Sequence, residues 1–183
     1  WHWIDDDVCE EYLAKLAALV RTGRDYDTGL RIVYTPLHGA GAGFVPKALM
    51  RAGYGNLYLV EEQMELNGEF PTVTVPNPEE PDAFRLAFDY GMRHKADLIL
   101  ATDPDCDRVG AAVWVGGRYV MLTGNQIGVL LADYLLQNLP EGEAEKCVIV
   151  KTIVTTNLIC PIASKYGAEV VDTLTGFKYI GRA

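Results

Sequence analysis

The chain is poor in several things at once. Its 183 residues include one serine, Ser164, three histidines and four cysteines. It has no apolar run near the ~20 residues that a membrane-spanning helix needs. It has no basic cluster, and its net charge is −9. That balance argues against a nucleic-acid backbone as partner. Cys9, Cys106, Cys147 and Cys160 show no paired spacing. They fit neither a disulfide frame nor a zinc site, and they read as reduced cytosolic thiols. There is no signal peptide pattern, internal repeat or low-complexity stretch. These absences leave a soluble, cytoplasmic globular protein as the expectation. The chain opens on Trp1-His2-Trp3 and closes on Gly181-Arg182-Ala183, just after the loop-like "TLTGFKYI". This reads as a piece of a longer protein.

What is present is an alternation of helix and strand signals. Hydrophobic residues make up 49% of the chain, enough for a real core. Residues 5–21 read as a helix: aspartates 5–7 cap it, and Val8, Tyr12, Leu13, Leu16, Leu19 and Val20 recur at helical spacing. Residues 30–35 and 56–61 read as strands around a glycine-rich turn at 36–43 and a helix at 44–54. A long loop follows at 62–78, then a helix at 78–95 with acids first and bases last. Residues 96–102 read as a third strand. "VGAAVWV" and "RYVML", split by Gly116-Gly117, form a hairpin. A helix at 125–139, a strand at 146–154, a helix at 155–167 and a strand at 168–173 complete the series. The class is α/β: a three-layer αβα domain with a mixed, largely parallel sheet, followed by part of a second similar domain. Residues 1–121 form the first domain and 122–183 the incomplete second.

The segment "ATDPDCDRVG" at 101–110 carries the chemistry. Asp103, Asp105 and Asp107 alternate, and Arg108 follows at once. In an extended chain, alternate side chains share a face at a spacing of roughly 6–7 Å. Three like charges so placed call for a counter-charge. Three carboxylates suit a hard divalent cation, Mg²⁺ above all, with positions left for water or a phosphate oxygen. Arg108 offers a fork for the same phosphate. The segment also starts where a strand ends, the usual ligand position in open α/β sheets. An EF-hand would need Gly and Glu where Arg108 and Trp114 stand. A plainer reading is a solvated acidic turn with a local Asp107–Arg108 pair.

The same segment resembles the magnesium loop of the α-D-phosphohexomutases, the phosphoglucomutase/phosphomannomutase family. "YTPLHGAG" (34–41), "VPNPEEPDAF" (75–84), "LTGNQIGVLLADYLL" (122–136), "VKTIVTT" (150–156) and "TLTGFKYIG" (173–181) resemble the family in the same order. The resemblance covers nearly the whole chain and is strongest to the bacterial phosphoglucomutase branch. It implies a four-domain enzyme of which this chain is domain II and the start of domain III. The remaining domains would belong to the same polypeptide. A phosphoserine elsewhere would pass its phosphoryl group to a sugar monophosphate through a bisphosphorylated intermediate, glucose 1,6-bisphosphate for a glucose enzyme. By the same resemblance Asp103, Asp105 and Asp107 would hold Mg²⁺, and Arg108 would contact the phosphate. Lys151 would reach the sugar phosphate, and Thr175, Gly176, Phe177 and Lys178 would line the sugar-contacting loop.

The implied reaction interconverts glucose 1-phosphate and glucose 6-phosphate, with mannose or pentose phosphates as alternatives. Ser164 lies in "IASKYG", far from the aspartates, and is a poor candidate for the nucleophile. The chain alone is therefore expected to be inert, with weak metal binding at most.

Other readings stay open. "HGAGAGF" hints at a dinucleotide turn, but Phe44 stands where the third glycine belongs. His38 reads as a hydrogen-bonded turn residue, and His94 as a helix-end residue. Lys151 reads equally as a strand-end lysine and Lys178 as a solvent-facing one. Tyr12, Tyr90 and Tyr134 sit at core spacing. An aspartate-based phosphatase also places Asp-x-Asp after a strand, and would be phosphorylated on that carboxylate. A non-catalytic, metal-stabilised module is the third possibility.

Overall fold

A computed structural model describes residues 4–19 and 26–183. The end of the first predicted helix, beyond Leu19, lies outside the described residues. The chain divides by its contacts into two units, Trp1–Thr123 and Gly124–Ala183.

The first unit holds α1 (Asp6–Leu19), β1 (Ile32–Thr35), α2 (Val45–Arg51), β2 (Leu57–Leu59), α3 (Arg85–His94), β3 (Leu98–Thr102), β4 (Val109–Val115) and β5 (Arg118–Leu122). Its sheet has the order β2-β1-β3-β4-β5. The first three strands are mutually parallel, and β4 and β5 run antiparallel. From β1 the chain moves one way to β2, then crosses back past β1 to β3. Right-handed crossovers therefore put α2 and α3 on opposite faces of the sheet. The loops after β1 and β3, neighbours in the sheet, meet at this switch point.

Four residues of β1 are buried without exception. Val33, Ile99, Ala101 and Ala112 from the sheet pack with Phe84 and Ala87, which lead into and lie on α3. Full burial of a ring such as Phe84 contributes roughly 1.5–3 kcal/mol. Gly116 and Gly117 turn the β4–β5 hairpin with φ of 59° and 88°. Two consecutive positive values are what a two-residue type I′ turn requires.

Three predicted helices are shorter than the sequence pattern indicates. Residues 81–84 form a 3₁₀ turn led by Pro81, and α3 begins only at Arg85. It stops at Lys95, a left-handed C-cap at φ 52°. The helix predicted over 44–54 is closed by Ala52 and Gly53, the latter at φ 94°. In the 155–167 stretch the α-helix covers Ile159–Lys165. The Thr155–Asn157 segment instead spends its polar groups outside a helix, with the Thr156 N–H on the distant Asn125 Oδ1 and the Leu158 N–H in a local turn on Thr156 Oγ1.

Tyr12 departs from its expected place in the core: it is 53% exposed, with its ring edge-on to Phe44. Tyr90 and Tyr134 are half-buried. On α1, Leu13 is buried, but Val8 is also exposed.

The second unit holds α4 (Gly124–Gln137), β6 (Val148–Thr152), α5 (Ile159–Lys165), β7 (Glu169–Thr173) and α6 (Phe177–Ile180). β6 and β7 pair in parallel, with Lys151 opposite Asp172. α6 is one turn within a stretch that reads as loop from sequence.

Candidate metal and phosphate site

The three aspartates sit in the six-residue connection between β3 and β4, which is closed by pairing of Thr102 with Val109. This connection is not extended. The Cys106 N–H bonds back to the Asp103 carbonyl at 3.0 Å, and Cys106 takes a left-handed φ of 62°. The curl draws the side chains together. Carboxylate oxygens of Asp103, Asp105 and Asp107 all lie within 4.8 Å of one another. That is closer than the spacing along an extended strand. Asp103 is fully buried, while Asp105 and Asp107 are exposed.

Asp103 is also the anchor of Arg108. Its Oδ1 accepts the Arg108 N–H at 2.9 Å and its Oδ2 accepts Nε–H at 2.7 Å. Burial pushes the Asp103 carboxyl up, but the hydrogen bonds from Arg108 and Asp107 outweigh it and hold it below the usual range. Asp107 moves the other way. Its hydrogen bond with Asp103 and the nearby Asp105 charge raise it. Arg108 is raised chiefly by its bond to Asp103. One carboxyl held down and the next pushed up is what crowded acids do when a single arginine faces them. A divalent cation among the three carboxylates would relieve that crowding. The donor set, three carboxylates with lone pairs still free, fits Mg²⁺. Arg108 remains half-exposed and keeps most of its outer N–H groups for an anion.

The glycine-rich loop at 36–43 supports this connection from below. The Ala40 N–H bonds to the Pro104 carbonyl at 2.8 Å. A Cβ on Gly39 would stand 2.3 Å from Pro104 Cα, and one on Gly41 would stand 2.3 Å from Tyr34 Oη. The Tyr34 hydroxyl in turn shares a 2.9 Å hydrogen bond with Thr102 Oγ1. Gly39 and Gly41 of "HGAGAG" therefore have a packing role here. His38 is the hydrogen-bonded turn residue expected: its Nδ1 meets the Glu65 carbonyl at 3.0 Å and its Nε2 meets Thr72 Oγ1 at 2.9 Å. Buried Gln63 joins Thr72 at 2.9 Å and Thr35 at 2.6 Å, which pins the start of the long loop. A groove of about 880 Å³ opens beside Asp105 and Cys106, walled by Ile4, Val8, Tyr12 and Phe44.

In the second unit, Lys151 is 5% exposed, near the carboxyl end of β6. Its ammonium is paired with Asp172 and donates to Asn157 Oδ1 at 3.1 Å and the Thr155 carbonyl at 3.3 Å. All three of its hydrogens are engaged. Thr175 and Gly176 follow β7, with Gly176 at φ 126°. Phe177 is 87% exposed, and Lys178 is exposed with its ammonium 4.8 Å from the Tyr179 ring centre. Lys151 and the 175–178 turn thus both stand at the carboxyl ends of parallel strands, where ligands of such sheets bind.

Comparison with known proteins agrees with this reading of the fold. Residues 10–116 match the family model described as phosphoglucomutase/phosphomannomutase, alpha/beta/alpha domain II. Residues 123–183 match that family's alpha/beta/alpha domain III. The chain belongs to the phosphoglucomutase/phosphomannomutase family. It is 34% identical over 180 residues to a phosphomannomutase of Mycoplasmoides pirum, covering 98% of this chain and 33% of that protein. It is 37% identical over 179 residues to a phosphoglucomutase of Staphylococcus saprophyticus, covering 97% and 32%. A solved phosphoglucomutase/phosphomannomutase family protein from Burkholderia thailandensis superposes with a TM-score of 0.74 at 19% identity, covering 96% of this chain and 35% of that one. The chain thus spans about a third of the length of the curated relatives it matches.

Proposed function

We propose that this chain is the metal-binding and part of the sugar-binding portion of a Mg²⁺-dependent mutase that interconverts glucose 1-phosphate and glucose 6-phosphate. Residues 1–121 are the metal-loop domain, and 122–183 begin the sugar-side domain. The convergence of three carboxylates within 4.8 Å, beside an arginine anchored on the buried one, carries the reading. Asp103, Asp105 and Asp107 would hold Mg²⁺, which when bound supplies positive charge at the phosphoryl group in transit. The serine that carries this group lies in another part of the full-length enzyme. Phosphoryl transfer needs positioning and charge neutralisation more than covalent help.

Arg108 orients the phosphate through its outer N–H groups, while Nε stays on Asp103. Lys151 receives the sugar phosphate by exchanging the half-exposed Asp172 for a phosphate oxygen. Thr175, Gly176, Phe177 and Lys178 offer backbone and side-chain contacts to the sugar. Glucose 1,6-bisphosphate is the intermediate and the activator. The enzyme works in the cytoplasm.

The aspartate-based phosphatase is disfavoured by Asp103 itself. That first aspartate is fully buried, and both its oxygens accept hydrogen bonds from Arg108. It is not presented for in-line attack. The test is Asp105→Asn in the full-length enzyme, assayed across a Mg²⁺ titration. Activity should fall by roughly a hundredfold or more, with a weakened Mg²⁺ response, in the range expected for losing preorganised charge. Unchanged activity and Mg²⁺ dependence would overturn the ligand assignment.

A further inference from the structure

The long loop that precedes α3 ends against Arg108. Asn77 Oδ1 accepts Nη1–H of Arg108 at 3.4 Å, a long contact just beyond the usual range of about 2.7–3.2 Å. The same oxygen accepts the Glu79 N–H at 3.1 Å, which fixes the Asn77 side chain in a local turn. The Asn77 backbone is held as well: its N–H bonds to the Val75 carbonyl at 2.9 Å, and its carbonyl accepts the Glu80 N–H at 3.0 Å. One residue on, buried Pro78 lies on the start of β4. A Cβ at Gly110 would stand 2.2 Å from the Pro78 carbonyl oxygen. The loop therefore abuts the chain two residues after Arg108, as well as the guanidinium. Its other end is pinned by the Gln63, Thr72 and His38 bonds.

A guanidinium has five N–H donors in a rigid plane. Asp103 takes Nε–H and Asn77 takes one Nη1–H. Two fixed contacts on a planar group set its rotation as well as its place. With Asp103 alone, the plane keeps a torsional freedom about the Nε contact. The remaining donors are then presented in one direction.

We propose that Asn77 is a positioning residue for the phosphate-contacting arginine: it sets the plane of Arg108 through its carboxamide oxygen. This rests on the assignment of Arg108 as the phosphate contact. Such a residue matters most where the moving phosphoryl group must meet its donors at a fixed angle, so its loss is felt in kcat more than in KM.

The experiment is a double-mutant cycle in the full-length enzyme with Asn77→Ala, Arg108→Ala and both together, alongside Asn77→Asp. Initial rates of glucose 1-phosphate conversion are measured at saturating Mg²⁺, and melting temperatures are recorded. Asn77→Ala should lower kcat by about tenfold and change KM less than twofold. In the Arg108→Ala background the same substitution should change kcat less than twofold, because the group it orients is gone. Asn77→Asp keeps the acceptor oxygen and should recover most of the rate. An equal loss in both backgrounds, or no loss in either, would overturn the proposal. If Arg108→Ala alone left the rate intact, the failure would lie with the arginine assignment and not with Asn77.

Discussion

Gly39→Ala isolates the packing of the glycine loop under the aspartate loop. Gly39 has a φ of −108°, which alanine adopts freely, so backbone conformation contributes little. The cost is steric. The added Cβ would meet Pro104 Cα at 2.3 Å, Pro104 O at 2.6 Å and Pro104 C at 2.8 Å. All three are backbone atoms, and no rotamer change relieves them. Reaching ordinary contact at 3.4 Å requires a displacement of about 1 Å. Overpacking of this kind costs about 1–3 kcal/mol if the loops hold. For a protein of this size each kcal/mol lowers Tm by about 2–4 °C. If the loops give way instead, the carboxylates beside Pro104 move by a similar distance. A 1 Å misplacement at a phosphoryl-transfer site is worth about a hundredfold in rate. Calorimetric Mg²⁺ titration, thermal melts and mutase rates on the full-length variant separate the two responses. Gly43→Ala is the control, because a Cβ there meets nothing within 4 Å, and it should be neutral. A Gly39→Ala protein with wild-type Tm, Mg²⁺ affinity and rate would refute the packing argument.

Asp103→Asn should destabilise the metal-free protein because it weakens the charge-assisted bonds to Arg108, whereas Asp105→Asn should raise the metal-free Tm by relieving crowding; melts in EDTA compare them. The Asp97 carboxyl is drawn down to about 2 by its bonds from Arg31. Since its folded value lies below the unfolded one, the stability it contributes is present above about pH 4 and is lost as pH falls toward 2. The pair is about 40% exposed, with side chains at 41% and 39%, so Asp97→Asn should cost only about 0.5–1 kcal/mol at pH 7 and nothing near pH 2, measured by urea unfolding at both. Lys151→Met should raise KM for the sugar phosphate in the full-length enzyme while leaving the Mg²⁺ titration unchanged; a shift in the Mg²⁺ response instead would remove Lys151 from the sugar side.

How far the sequence could be read depended on whether the informative contact was local. The aspartate loop was legible because three like charges in five residues have few physical explanations. Its geometry was not. The pattern gave alternation on an extended chain, while Cys106 in a left-handed conformation curls the loop and shortens the distances. The glycines at 39 and 41 looked like a weak nucleotide turn, because the atoms that require them belong to Pro104, Tyr34 and Thr102, and two of these are some sixty residues further on. Tyr12 shows the limit of periodicity, which marks a face of α1 without saying what covers it. Asn77 lay in a stretch marked by the length of its loop and by the family-like "VPNPEEPDAF", and nothing local pointed to Arg108. The helix from 155 was overextended because Thr155–Asn157 bond locally, a competition that composition does not reveal.

The most direct measurement is phosphorus NMR on the full-length enzyme with Mg²⁺, a trace of glucose 1,6-bisphosphate, and glucose, mannose or ribose 1-phosphate in turn. The account predicts conversion of glucose 1-phosphate to glucose 6-phosphate, abolished by EDTA, with no inorganic phosphate released. Release of inorganic phosphate, or no conversion of any sugar phosphate, would contradict it.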